Sequence, residues 1–188
     1  MRDDLMEIRI HGRGGQGNVV AAYLLAEAAI AAQFFAQAFP FFGAERRGAP
    51  VTAFVRFSKS PFKRRSAIEC PQALIIQDPH LLNLTETMHG FDANGTLVIN
   101  SGRKKAAPPH HAAGKVIAFP ATEMAEEILG RPIPNVALVA AFMGALNIFP
   151  IDGLEKALER RFPKAVAEKN IALARKCYQL GGELYASP

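Results

Sequence analysis

The sequence has no tryptophan and only two cysteines among its 188 residues. Cys70 and Cys177 stand alone, without a Cys-x-x-Cys neighbour or a histidine at metal-ligand spacing. Zinc or iron–sulfur ligation by this chain is therefore not expected, and no metal site is assigned. So few cysteines fit a reduced, cytoplasmic compartment better than a disulfide scaffold. The opening Met1-Arg2-Asp3-Asp4 lacks the apolar core of a secretion signal. Charge is missing altogether from Ile133 to Ile151. Pro134 and Pro150 fence that run, however, leaving fewer than the ~20 uninterrupted residues a bilayer needs. A buried helix is expected there, with no membrane span. No legible nucleophile is present either. There is no serine elbow, no cysteine near a plausible base and no carboxylate pair, so no catalytic residue is assigned.

What is present is an ordinary globular composition, 49% apolar and 21% charged, long enough for a single domain over residues 1–188. The formal net charge of +5 favours an anionic partner. Phosphate esters, acidic proteins and nucleic acids all meet that requirement. No alternation of arginine with aromatics suggests an RNA-binding sheet, so nucleic acid is not the expected partner.

Glu7 to His11 alternates apolar and polar residues as a strand does, and Gly12 to Gly17 forms a glycine-rich turn. Asn18 to Ala32 is a helical run, apolar nearly all round, which argues burial between sheet and partner. Phe34 to Phe42 is rich in phenylalanine and broken by Pro40. Further strands are expected at Val51–Phe57, Ala73–Gln77, Thr96–Asn100 and Lys115–Phe119. Helices are expected over Thr122–Leu129, with Thr122 as N-cap, and over Val136–Ile148, Asp152–Arg161 and Pro163–Leu180. Asp152 with Glu155 reads as a capping box. The alternation predicts a Rossmann-like, doubly wound α/β fold. It would have a mainly parallel sheet, helices on both faces and a helical C-terminal third.

Two motifs carry chemistry. Gly12, Gly14 and Gly17 have G-x-G-x-x-G spacing directly after a strand and before a helix. Glycines let backbone N–H groups approach a phosphate, and the helix directs its positive end at it. Gly15 adds freedom, Arg13 can place a guanidinium on the same phosphate, and Asn18 is a good N-cap. The alternative is a tight strand–helix turn that binds nothing. No acidic residue sits about 20 residues further on to hold a ribose, and Glu45 comes late and in a loop. The second motif is Phe42-Gly43-Ala44-Glu45-Arg46-Arg47-Gly48. Arg46 and Arg47 suit a phosphate or a partner's carboxylate, unless Glu45 simply pairs one of them in solvent. Lys63-Arg64-Arg65 and Arg103-Lys104-Lys105 read as solvated faces, His110-His111 as an exposed pair, and Asp78 as either a pocket residue or a turn cap.

Together, Gly12 to Gly17, Gln37-Ala38-Phe39-Pro40 and Phe42 to Val51 resemble the gamma subunit of the pyruvate:ferredoxin (2-oxoacid:acceptor) oxidoreductase family. Gly130 to Asn135, Arg161-Phe162-Pro163 and Ala167 to Asn170 extend the resemblance, so that it runs from about Ile8 to Tyr178. The resemblance implies a subunit that is not catalytic alone, in a complex that oxidatively decarboxylates a 2-oxoacid to an acyl-coenzyme A. Thiamine diphosphate, Mg and 4Fe-4S clusters would sit in alpha, beta and ferredoxin-like delta partners, with ferredoxin or NAD as final acceptor. The carried-over coenzyme A contact is the glycine loop, Gly12, Arg13, Gly14, Gly15, Gln16, Gly17 and Asn18, together with Arg46 and Arg47. The competing reading is an independent nucleotide-binding oxidoreductase. It requires a ribose-binding acid and a catalytic group, neither of which is legible.

Overall fold

The computed structural model describes residues 5–41, 48–102 and 114–186. Along β1 (Met6–Arg13), Ile8 and Ile10 are buried towards the helices, while Glu7, Arg9 and His11 occupy the reverse face. That is the two-residue period of a strand. The chain continues through α1 (Asn18–Ala31), β2 (Phe35–Phe41), β3 (Pro50–Ser58) and β4 (Ala73–Ile76). A 3-10 turn (Pro79–Asn83), α2 (Thr85–Met88), β5 (Thr96–Asn100) and β6 (Lys115–Phe119) follow. The last third is α3 (Ala121–Leu129), α4 (Asn135–Leu146), α5 (Asp152–Arg161) and α6 (Lys164–Ala186).

The six strands form one sheet in the order β2-β3-β1-β4-β5-β6. β1, β4, β5 and β6 pair in parallel, and β3 runs antiparallel to both β1 and β2. β4 and β5 are buried along their whole length, as parallel strands covered on both faces must be. This is the predicted Rossmann-like, mainly parallel architecture with its helical C-terminal third. Helices lie on both faces, but unequally. One face carries α1 over β1, β2 and β3 and α4 over β4 and β5. Among the described residues the helical cover of the other is the 3-10 turn and α2, over a small core of Leu74, Ile76, Leu97 and Ile99.

The scarcity of polar residues around α1 and α4 follows from a second layer. α5 covers the outside of α1, and α6 covers α4, so both inner helices meet protein on two sides. For α1 the cover is this chain's own α5, where the sequence suggested a partner. α4 and α6 approach backbone to backbone. A Cβ at Gly144 would overlap the Tyr178 carbonyl, and one at Gly181 would overlap that of Ala141. Among the described residues no helix is long and apolar enough to cross a membrane.

Three local expectations are corrected. The phenylalanine-rich stretch is a strand despite Pro40: β2 lies at the sheet edge, where a missing N–H is tolerated. Its neighbour Phe34 packs edge-on against Phe57 and Phe149, at 5.7 and 5.4 Å between centroids. Thr122 lies inside α3, not at its cap, because Asn100 of β5 does the capping: its Oδ1 accepts from the Thr122 N–H at 3.2 Å. The Asp152/Glu155 box does not form. Ile151 is the cap residue, and Glu155 instead binds the Arg175 guanidinium of α6 through two bonds of 2.7 and 2.8 Å.

Candidate functional site

From β1 the chain runs outwards to β2 at one edge and returns through β3, whereas β4, β5 and β6 fill the other side. The strand order therefore reverses between β1 and β4. The carboxyl ends of those two strands are where a doubly wound sheet leaves a ligand crevice. The glycine loop leaves β1 at this point, and Asp78 follows β4 at the same point.

Gly15 and Gly17 adopt φ of 99° and 79°, which side chains with a Cβ rarely accept. Gly12 is required for another reason, because a Cβ there would overlap the Asn18 side chain. The loop is tied internally. Gln16 accepts the Arg13 N–H on Oε1 at 2.7 Å, and Gly14 N–H donates to the Ala49 carbonyl at 3.0 Å. Gly17 takes the N-cap position of α1 and has no side chain to offer. The first-turn amides of α1 therefore have neither intrahelical acceptors nor a side-chain cap. Among the described residues nothing lies within 4 Å of a Cβ built at Gly15. Asn18, expected as the cap, is instead the first helical residue. Its Oδ1 accepts from Gln77 Nε2 and its Nδ2 donates to the Val51 carbonyl at 3.2 Å.

Arg13 is aimed and not loose. Its Nε donates to Asp78 Oδ2 and its Nη1 to the Gly48 carbonyl at 3.1 Å, while 40% of the side chain stays exposed. Asp78 also accepts the His80 N–H at 2.9 Å, so the turn-cap reading of this residue holds: it caps the 3-10 turn while bracing Arg13 at the carboxyl end of β4. The structure thus brings together Gly12, Arg13, Gly14, Gly15, Gln16, Gly17 and Asn18. Arg46 and Arg47 lie outside the described residues, as do Glu45 and the His110-His111 pair.

Beneath the loop lies a belt of neutral amides that sequence reasoning missed. Gln77, fully buried, joins Asn18 through its side chain and accepts Asn100 Nδ2 on its carbonyl at 2.9 Å. Asn100 Nδ2 also donates to Thr122 Oγ1 at 2.8 Å, which carries the belt to α3. Asn135, the first residue of α4, accepts the Val136 N–H at 2.8 Å and donates to the Gly17 carbonyl at 3.4 Å. A usable signal was the single polar residue ending each apolar strand: Gln77 after Ala73–Ile76, and Asn100 after Thr96–Ile99. His11, on the reverse face of β1, faces Thr52 Oγ1 through Nδ1 at 3.3 Å. Its Nε2 has no partner among the described residues. Burial, aided by nearby Arg9, pushes its pKa down to about 3, so the ring is neutral. Among the described residues no three His, Cys, Asp or Glu side chains cluster as a metal site.

The model of the pyruvate ferredoxin/flavodoxin oxidoreductase family matches residues 7–180. The chain belongs to that family. It is 42% identical to pyruvate synthase subunit PorC of Methanothermobacter thermautotrophicus, with 93% of this chain and 95% of that protein aligned. It is 39% identical to the common gamma subunit of the pyruvate/ketoisovalerate oxidoreductases of Pyrococcus furiosus, over 93% and 96% of the two chains. The crystal structure of pyruvate oxidoreductase subunit PORC from Thermotoga maritima superposes with a TM-score of 0.82 at 33% identity. That match covers 94% of this chain and 97% of the other. The family's gamma-type resemblance read from the motifs is therefore borne out, and with it the place of this chain as a subunit of an oxidoreductase complex.

Proposed function

We propose that the chain is the gamma subunit of a thiamine-dependent, coenzyme A-acylating 2-oxoacid:ferredoxin oxidoreductase, and that its glycine loop holds coenzyme A phosphates. In this reading thiamine diphosphate with Mg and the 4Fe-4S clusters, held by alpha, beta and delta partners, supply decarboxylation and electron transfer to ferredoxin or NAD. This chain's own residues bind and orient. The observation that carries the reading is a glycine loop at the reversal of strand order, with Arg13 braced by Asp78 beside the amino end of α1. The loop fits a phosphate group. Its glycines leave the backbone bare, its spare donors are N–H groups and a guanidinium, and Gln16 and Asn18 hold its shape from within. The two isolated cysteines do not suit a 4Fe-4S cluster, which supports placing the clusters in the partners. Arg46 and Arg47 are assigned to the same phosphates.

The test is kinetic and uses the assembled complex. A charge-assisted contact to phosphate contributes about 1.5–3 kcal/mol, so Arg13→Ala should raise the apparent KM for coenzyme A roughly 10- to 150-fold. Arg46→Ala and Arg47→Ala should act in the same direction. Single-turnover decarboxylation, which needs no coenzyme A, should survive in each variant. An unchanged coenzyme A dependence in fully assembled Arg13→Ala and Arg46→Ala complexes rejects the site. Lost assembly in the Arg46 or Arg47 variants assigns those residues to a subunit contact instead.

A further inference from the structure

We propose that the open edge of β2, with the basic segment beside it, is a docking site for an extended acidic segment of a partner subunit. The inference rests on the chain being a subunit of a complex, but not on the glycine loop binding coenzyme A. Among the described residues β2 has a hydrogen-bonded neighbour on one side, β3. Alongside it a pocket of about 620 Å³ is lined by Phe35 and Gln37 of the strand and by Phe62, Lys63, Arg64 and Arg65 of the coil after β3.

Among the described residues the charge of this pocket is not balanced. Arg64 reaches Glu7 at 3.4 Å, but Glu7 already pairs with the fully buried Arg56 at 2.5 Å. Lys63 and Arg65 are exposed and have no carboxylate partner among the described residues. The pocket also has apolar and polar places to fill. Phe35 is 49% exposed, and the Gln37 Oε1 is buried without a hydrogen-bond donor.

An unpaired strand edge is satisfied by another extended backbone, and the pockets beside it then select side chains. Here the selection is for carboxylates opposite Lys63 and Arg65, an apolar residue against Phe35 and Phe62, and a donor for Gln37. A small free anion would satisfy the cations while using neither the strand edge nor Phe35. The observations therefore favour a peptide segment.

Two measurements on the intact complex test this. First, a photoreactive benzoylphenylalanine in place of Phe35 should cross-link, on irradiation, to one aspartate- and glutamate-rich stretch of a co-purified subunit, mapped by mass spectrometry. Second, Lys63→Glu combined with Arg65→Glu should weaken retention of this chain in the complex roughly 10-fold or more at low salt, with the difference shrinking at high salt. Both substituted side chains are exposed, so folding is not at stake. Coenzyme A KM in whatever complex remains should be unchanged. Cross-links confined to this chain, or to a partner stretch without carboxylates, overturn the proposal. So does charge reversal with unaltered retention, or a changed coenzyme A KM in a complex that still assembles, which would make the pocket a small-anion site. A chain that purifies without any partner defeats the subunit reading itself, and the docking site with it.

Discussion

On the helix-covered face of the sheet, Ile8, Ile10, Ala53, Val55, Ile75 and Val98 meet α1 and α4. On the reverse face the same strands present Glu7, Arg9, His11 and Arg56, each less than a tenth exposed. The two layers above the strands are held by different forces. Helices are held by apolar area, which is non-directional and roughly additive. The coil and turns on the reverse face are held by directed bonds. Arg9 Nη2 donates to the carbonyls of Thr87 and His89 at 3.0 and 2.7 Å, and Arg56 Nη2 donates to those of Ser66 and Ala67 at 2.5 and 3.3 Å. A buried arginine thus fastens irregular chain in addition to the small apolar core under the 3-10 turn and α2. The contrast teaches that the reverse face should fail by charge and the helix face by shape.

The largest expected effect tests the first half of that contrast. Glu7→Leu leaves Arg56 fully buried without its main counter-charge, and should cost about 3–5 kcal/mol in urea unfolding. Adding Arg56→Met should restore most of that loss, because the pair as a unit contributes little beyond an apolar substitute. A single-variant loss below about 1 kcal/mol, the range of exposed pairs, would break the contrast. On the helix face the sensitive spots are the glycines of the α4–α6 crossing. Gly181→Ala should destabilise by about 1–3 kcal/mol through overlap with Ala141. Gly182→Ala, whose Cβ would sit an ordinary 3.5 Å from the Gly144 carbonyl, should instead stabilise by about 0.5–1 kcal/mol. If both substitutions have the same sign, the crossing is not set by shape.

A further modest effect is a pH dependence confined to the reverse face. In the folded chain His11 binds its proton only near pH 3, against an ordinary value of about 6.5. The unfolded state therefore holds more protons in between. The contribution of neutral His11 is present above about pH 6.5 and is lost as pH falls from there towards 3. Between pH 7.5 and 5.5 that amounts to about 1.4 kcal/mol, and His11→Asn should remove it. Urea titrations at both pH values measure the difference. An identical loss in the variant would place the titration elsewhere.

Legibility from the sequence follows the range of the determining contact. The glycine loop, β1 and α1 were legible because each depends on neighbours within a few residues. β2 was not, because only its position at the sheet edge makes Pro40 harmless, and sheet order is not local information. The cap of α3 was misread for the same reason, since Asn100 supplies it from 22 residues away. Within the site, the glycine loop was visible, while Gln77, Asn100 and Asn135 were single amides among apolar runs. Pairing of β1 with β4 and of β4 with β5 is what gathers them.

The belt of carboxamides has a further consequence for how the crevice can be observed. Side-chain amide protons of Gln77 and Asn100 are both hydrogen-bonded and sheltered from water, so they should exchange with solvent slowly enough to give separate resonances. They form a chain of magnetic reporters running from α1 to α3 under the loop, with no label to introduce. Asn170, whose Nδ2 donates to the Val166 carbonyl within α6, is a matched reporter in a different part of the molecule. A ligand seated on the glycine loop should shift the first set in sequence from Asn18 outwards while Asn170 stays in place.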